Sequence, residues 1–144
     1  MTISRETLIE RLRLELERRS EILEAYLFGS FARGDAKAHS DVDVAVYLDP
    51  ARRTRSGLGD AVEISSVLMS VLERNDVDVV ILNDGTPLLY HRVLRDGIRL
   101  FARDLPATTA REGYALSRYL DDQHRIDMID AILSERWKRG ELGR

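Results

Sequence analysis

Apolar residues along the chain recur first at helix-like and then at strand-like intervals, which predicts an α/β fold. A first helix begins after Ser4, a good capping residue, because Leu8, Leu12 and Leu16 follow at intervals of four. Four short apolar runs predict strands, and two stretches with helical spacing lie among them. The strands are predicted over 22–28, 41–48, 77–82 and 98–101, and the helices over 58–74 and 87–94.

Helix boundaries in the second half of the chain are indicated by capping residues and prolines. Thr86 can cap a helix that has Pro87 in its first position, and Gly97 ends that helix. Pro106 marks a boundary after the fourth strand. We therefore predict a long final helix that begins at residue 108 or 109 and runs to about 137.

The alternation of helices and strands is typical of an α/β sandwich. We expect helices mainly on one face of the sheet, with the strongly apolar third strand in its interior. At 144 residues the chain is most simply one domain, residues 1–144. Its core is expected over about 22–101, followed by a helical extension over about 107–138.

Composition narrows the classes of function. The sequence is 44% hydrophobic and 33% charged with a net charge of −3, so it lacks the basic character of a general nucleic-acid binder. It contains no cysteine, which excludes disulfides, zinc–thiolate sites and thiol nucleophiles. No signal peptide or membrane-spanning run is visible, and a cytoplasmic location is expected.

Candidate chemistry lies where the first two strands approach each other. Gly29 and Ser30 follow the first apolar run, and Asp41 and Asp43 begin the second run after ten intervening residues. In a strand these two carboxylates lie on one face, roughly 6–7 Å apart. Their repulsion calls for a hard cation such as Mg²⁺, and a glycine–serine turn can hold a phosphate. The pattern therefore predicts metal-assisted chemistry on a nucleotide.

A third carboxylate is expected from the third strand. Asp78 lies within an apolar run, where an unpaired buried charge would cost several kcal/mol. Asp76 is the competitor, but a carboxylate at the start of a strand remains solvated. The structural alternative for Asp78 is an ion pair with an arginine such as Arg33.

Together, Gly29-Ser30, Asp41-x-Asp43 and a later strand aspartate, Asp78, resemble the polymerase-β-like nucleotidyltransferase superfamily. The segments 27–48, 77–82 and 86–97 are similar to the minimal nucleotidyltransferases, or MNT, which are antitoxins of HEPN/MNT toxin–antitoxin pairs. The resemblance implies a small mixed β-sheet covered by helices, with a long C-terminal helix.

The resemblance also implies a role for each matched residue. Asp41, Asp43 and Asp78 would be catalytic and would bind Mg²⁺. Gly29 and Ser30 would hold the terminal phosphates of ATP, with Arg33 near enough to assist.

By the same resemblance, AMP would pass from ATP to a tyrosine hydroxyl of a HEPN ribonuclease toxin and silence it. Two alternatives stay open: a small-molecule adenylyltransferase of the antibiotic-modifying type, and an antitoxin that neutralises its toxin by contact alone. No membrane contact and no direct nucleic-acid binding are expected, and a homo-oligomer is left open.

Overall fold

The computed structural model of the chain describes residues 3–37, 40–53 and 57–140. It contains four strands and five helices, with short 3₁₀ turns at Pro50–Arg52 and Leu82–Asp84. In chain order the elements are α1 (Arg5–Glu17), β1 (Ile22–Phe28), α2 (Ser30–Arg33), β2 (Val42–Leu48), α3 (Gly57–Leu72), β3 (Val77–Ile81), α4 (Pro87–Asp96), β4 (Ile98–Ala102) and α5 (Leu105–Lys138).

The four strands form one mixed sheet in the order β3-β2-β1-β4. Strand β1 runs antiparallel to β2 and β4, whereas β2 and β3 are parallel. The predicted mixed sheet is confirmed, but the interior position predicted for β3 is wrong, because β3 is an edge strand. Its apolar residues Val77, Val79 and Ile81 pack in the core with α3, and Asp78 on the opposite side is exposed.

Helices cover both faces of the sheet, so the prediction that they lie mainly on one face is wrong. Helices α1 and α3 pack on the face that carries Leu27 and Val44, whereas α4 and α5 pack on the face that carries Tyr26 and Ala45. Both central strands are apolar on both faces, and burial of both requires a layer of helices on each side.

Side-chain caps lie at the start of α1 and of α4, where the sequence predicts them. The Ser4 hydroxyl accepts a hydrogen bond from the Thr7 backbone N–H at 3.1 Å, and the Thr86 hydroxyl accepts one from the Leu89 N–H at 3.1 Å. These bonds satisfy N–H groups that a helix leaves without a partner in its first turn.

Helix α5 begins earlier than predicted. Asp104 caps it, accepting from the Ala107 N–H at 3.3 Å, and Pro106 lies within the first turn. A proline is tolerated there because first-turn N–H groups have no partner within the helix. Although α5 has 34 residues, no described helix is long and apolar enough to cross a membrane.

The two halves of α5 differ in their surroundings. The first half packs across the sheet, with Thr108 and Ala115 buried. The second half carries large apolar side chains that are exposed, namely Leu120, Ile126, Met128, Ile129, Ile132, Leu133 and Trp137. We refer to this set as the exposed apolar residues of α5.

A buried ion pair joins α5 to the sheet. Glu24 on β1 is fully buried and accepts hydrogen bonds from the Arg111 guanidinium at 2.7 and 2.5 Å and from the Thr108 hydroxyl at 2.9 Å. The Arg111 guanidinium also lies over the Tyr47 ring, 4.6 Å from its centroid. These contacts fix the position of the first half of α5.

Candidate active site

The turn after β1 brings the backbone against a carboxylate. Gly29 has φ +74°, in the left-handed region that favours glycine. A Cβ built on Gly29 would lie 2.2 Å from Oδ2 of Asp43, closer than two such atoms can approach. Any side chain at position 29 would therefore displace the Asp43 carboxylate. Ser30 begins α2 directly after this turn.

The three predicted carboxylates lie at the start of two neighbouring parallel strands. Asp43 on β2 pairs in register with Asp78 on β3, so the two side chains share one face of the sheet. Asp41 precedes Asp43 by two residues and lies outside the first residue of β2. The face they share is the one that α4 and α5 cover.

Burial, together with repulsion within this group, shifts the pKa of Asp43. The pKa of Asp43 is raised, first by its partial burial and then by the negative charges of Asp78 and Asp41, while the positive charge of Arg33 opposes the rise. Only Asp43 is half-buried, and Asp41 and Asp78 are exposed. The expectation of a buried Asp78 is therefore wrong, because an edge strand leaves one face open to solvent.

Asp76 and Asp78, the two candidates for the third carboxylate, differ in their ion-pair partners. Arg74 holds Asp76 with two hydrogen bonds of 2.7 Å, and these bonds lower the pKa of Asp76. Asp78 forms no ion pair with Arg33 within the described residues, since Arg33 pairs with Asp35 at 3.4 Å. Asp76 is thus neutralised by a neighbour, whereas the charge of Asp78 faces the charge of Asp43.

The donor set suits a hard divalent cation. Within residues 3–37, 40–53 and 57–140, no three His, Cys, Asp or Glu side chains converge closely enough to hold a metal ion by themselves. Mg²⁺ commonly binds through one or two carboxylates and completes its shell with waters and substrate phosphates. Asp43 and Asp78 are paired in register, and burial followed by the charges of Asp78 and Asp41 raises the pKa of Asp43, so the pair fits such a site.

The sequence analysis missed a cavity of about 600 Å³ between α4, α5, the middle of β1 and the start of β4. Tyr26, Arg99 and Glu112 contribute its polar groups. The available signal was a glycine, Gly113, in the interior of a long helical pattern, where glycine is unfavourable.

Comparison with known proteins gives one family and several relatives. The family described as polymerase beta, nucleotidyltransferase matches residues 10–105. A Methanocaldococcus jannaschii protein named “Putative protein adenylyltransferase” is 35% identical over 74 residues, which cover 51% of this chain and 74% of that protein.

Solved structures share the fold over nearly the whole chain. A chain of a toxin–antitoxin crystal structure with AMP-PNP matches with a TM-score of 0.63 and 26% identity, covering 92% of this chain and 98% of that one. A chain from the complex of the tri-AMPylated Shewanella oneidensis HEPN toxin with its MNT antitoxin matches with a TM-score of 0.61 and 22% identity, covering 92% and 98%. At 22% identity the second match shows the fold alone.

Proposed function

This chain belongs to the polymerase beta nucleotidyltransferase family, and from that premise we propose that it transfers AMP from ATP to a tyrosine hydroxyl of a HEPN-type toxin. It thereby acts as an Mg²⁺-dependent antitoxin. The observation that carries the proposal is the Gly29 turn packed against Asp43, with Asp78 opposite in register. The relative named as a protein adenylyltransferase and the toxin–antitoxin match with AMP-PNP support it.

Each residue of the site has a proposed role. Gly29 and Ser30 hold the terminal phosphates of ATP, because their turn permits close approach of the backbone. Arg33 offsets phosphate charge from α2. Asp41, Asp43 and Asp78 hold Mg²⁺, which when bound neutralises charge on the phosphates and lowers the pKa of the acceptor hydroxyl.

The proposed transfer is an in-line displacement at the α-phosphorus of ATP. The tyrosine oxygen forms a bond to the α-phosphorus, the bond from the α-phosphorus to the bridging oxygen breaks, and pyrophosphate leaves. The Asp78 carboxylate is exposed, so the hydroxyl of an incoming protein can reach it and pass on its proton.

A protein acceptor is favoured by the exposed apolar residues of α5. Seven large exposed apolar side chains between positions 120 and 137 of one helix are typical of a surface that another protein covers. A small-molecule acceptor would leave this surface without a role. The toxin–antitoxin match at 26% identity extends over 92% of the chain and so includes much of this helix.

The test is transfer of label from ATP with a radioactive α-phosphate onto the HEPN-type toxin that this chain neutralises. Wild type should label that protein in the presence of Mg²⁺, and Asp43→Asn should not. Glu6→Gln removes one negative charge from an exposed site on α1 and serves as the control, which should label normally. Neutralisation of the toxin by Asp43→Asn without label would overturn the catalytic proposal in favour of neutralisation by contact.

A further inference from the structure

One side of α5 is covered in the first half of the helix and continues uncovered in the second half. Among the covered residues, one series recurs at intervals of three or four, namely Thr108, Arg111, Ala115, Tyr119 and Asp122. These intervals keep the residues on the same side of a helix. From residue 123 to residue 139 every residue is exposed.

The same intervals continue beyond Asp122 with apolar residues. The next members of the series are Ile126, Ile129, Leu133 and Trp137, and each is between 43% and 66% exposed. We refer to these four residues as the apolar stripe. The side of α5 that packs within the domain thus continues as an apolar side with no cover, and such surfaces are typical of contacts between proteins.

The apolar stripe includes only part of the exposed apolar residues of α5. At 3.6 residues per turn, Leu120 and Met128 each lie about 140° around the helix from Leu133. A helix that lies along the stripe therefore leaves Leu120 and Met128 exposed. The toxin of the proposed function retains an apolar surface of its own.

The charges of this half of α5 are ordered along the helix. Four aspartates and one arginine give residues 120–130 a net charge of −3. Three basic residues and one glutamate give residues 131–139 a net charge of +2. A second copy of the segment that runs in the opposite direction places opposite charges together at both ends, whereas a parallel copy places like charges together.

Apolar and charged positions agree on one antiparallel register. A register that places Ile126 opposite Leu133 of the second copy also places Asp121 opposite Lys138 of that copy. Asp122 pairs with Arg125 in its own helix, but neither Asp121 nor Lys138 forms an ion pair with any described residue of its own chain. Charges beside an apolar stripe of this kind set the orientation of paired helices.

From these observations we infer that residues 120–138 pair antiparallel with the same residues of a second copy of this chain, along the apolar stripe. The interface has two-fold symmetry, so each contact occurs twice. Its charge order makes the segment complementary to itself, which favours a second copy over an unrelated helix. The inference goes beyond the proposed function, because the carboxylates at the starts of β2 and β3 take no part in it.

The test is sedimentation velocity of the full chain over a range of concentrations, and wild type should sediment as two chains. Leu133→Lys should weaken pairing by at least about 100-fold, because a leucine that the interface buries is lost twice. Met128→Lys is the matched control, since it adds the same charge at a similarly exposed residue away from the stripe, and it should pair as wild type. Melting temperatures establish that both variants fold.

Charge reversal tests the antiparallel register. Lys138→Glu sets a glutamate opposite Asp121 and should weaken pairing by about 10-fold, because an attraction becomes a repulsion at two symmetric places. The double variant Lys138→Glu/Asp121→Lys should restore pairing to that of wild type. A double variant that pairs as weakly as Lys138→Glu alone would overturn the antiparallel register.

Wild type that sediments as one chain at every concentration would overturn the inference. If that monomer binds the HEPN-type toxin and Leu133→Lys does not, the toxin and not a second copy covers the apolar stripe. Equal pairing by Leu133→Lys and wild type would also overturn the inference. Asp43→Asn should pair as wild type while it loses label transfer, so a failure of pairing and a failure of the proposed function are distinguishable.

Discussion

Loss of Arg111 should destabilise the fold more than loss of any exposed arginine. Glu24 is fully buried, and Arg111→Met leaves its carboxylate with only the Thr108 hydroxyl as a donor. Breaking a buried ion pair by removing one partner costs about 3–5 kcal/mol. For a chain of 144 residues that corresponds to a fall of roughly 10–17 °C in melting temperature.

The assay is urea unfolding followed by circular dichroism, with free energies compared at a common slope. Arg13→Met is the matched control, because Arg13 pairs with Glu10 and Glu17 on the surface of α1, where solvent screens the pairs, and its loss should cost far less stability than loss of Arg111. The double variant Arg111→Met/Glu24→Met removes both charges and should recover most of the loss.

Two results would refute this reasoning. If Arg111→Met costs no more than Arg13→Met, the buried carboxylate does not depend on the guanidinium. If the double variant is as unstable as Arg111→Met alone, the loss comes from packing of the arginine over Tyr47 and not from an unpaired charge.

Three further predictions concern the carboxylate site. Gly29→Ala should lower the melting temperature more than Gly34→Ala and should abolish transfer. Both glycines have positive φ, but only a Cβ at Gly29 would meet Asp43. Equal losses of stability in the two variants would contradict this contact. Asp78→Asn should raise the free energy of unfolding by up to about 1 kcal/mol, since it relieves repulsion across the strand pair, while label transfer falls by at least about 100-fold. The raised pKa of Asp43 means that its charge destabilises the fold above that pKa and ceases to do so as the pH falls through it. Asp43→Asn should therefore be more stable than wild type at neutral pH and equal to it well below pH 4, and a stability difference independent of pH would contradict this.

Local signals in the sequence predicted most of the elements. The caps at Ser4 and Thr86 and the alternation in β2 act over a few residues, so they can be recognised without knowledge of the fold. The order of the strands in the sheet cannot be recognised from such local signals. Nothing within residues 77–82 distinguishes an interior strand from an edge strand that packs against one helix. The helices on both faces were missed for the same reason, since sidedness depends on how distant segments meet.

The pairing of the site residues was predictable only in part. The spacing between the Gly29 turn and Asp43 indicated that they belong together, and the register of Asp43 with Asp78 agrees with that pattern. Glu24 was recognisable as a lone acid in an apolar run, but its partner Arg111 lies 87 residues away. No short-range pattern connects the two.

Helix α5 is unbroken from Leu105 to Lys138, and the buried pair of Glu24 with Arg111 anchors it to the sheet. Residues 120–138 extend about 27 Å beyond this anchored part, at 1.5 Å per residue. Glu112, Gly113 and Leu116, which lie between the anchor and the projecting segment, form one wall of the cavity between α4 and α5. A partner that covers the exposed apolar residues of α5 would therefore bind a projecting segment whose orientation is set by the anchored half of the same helix.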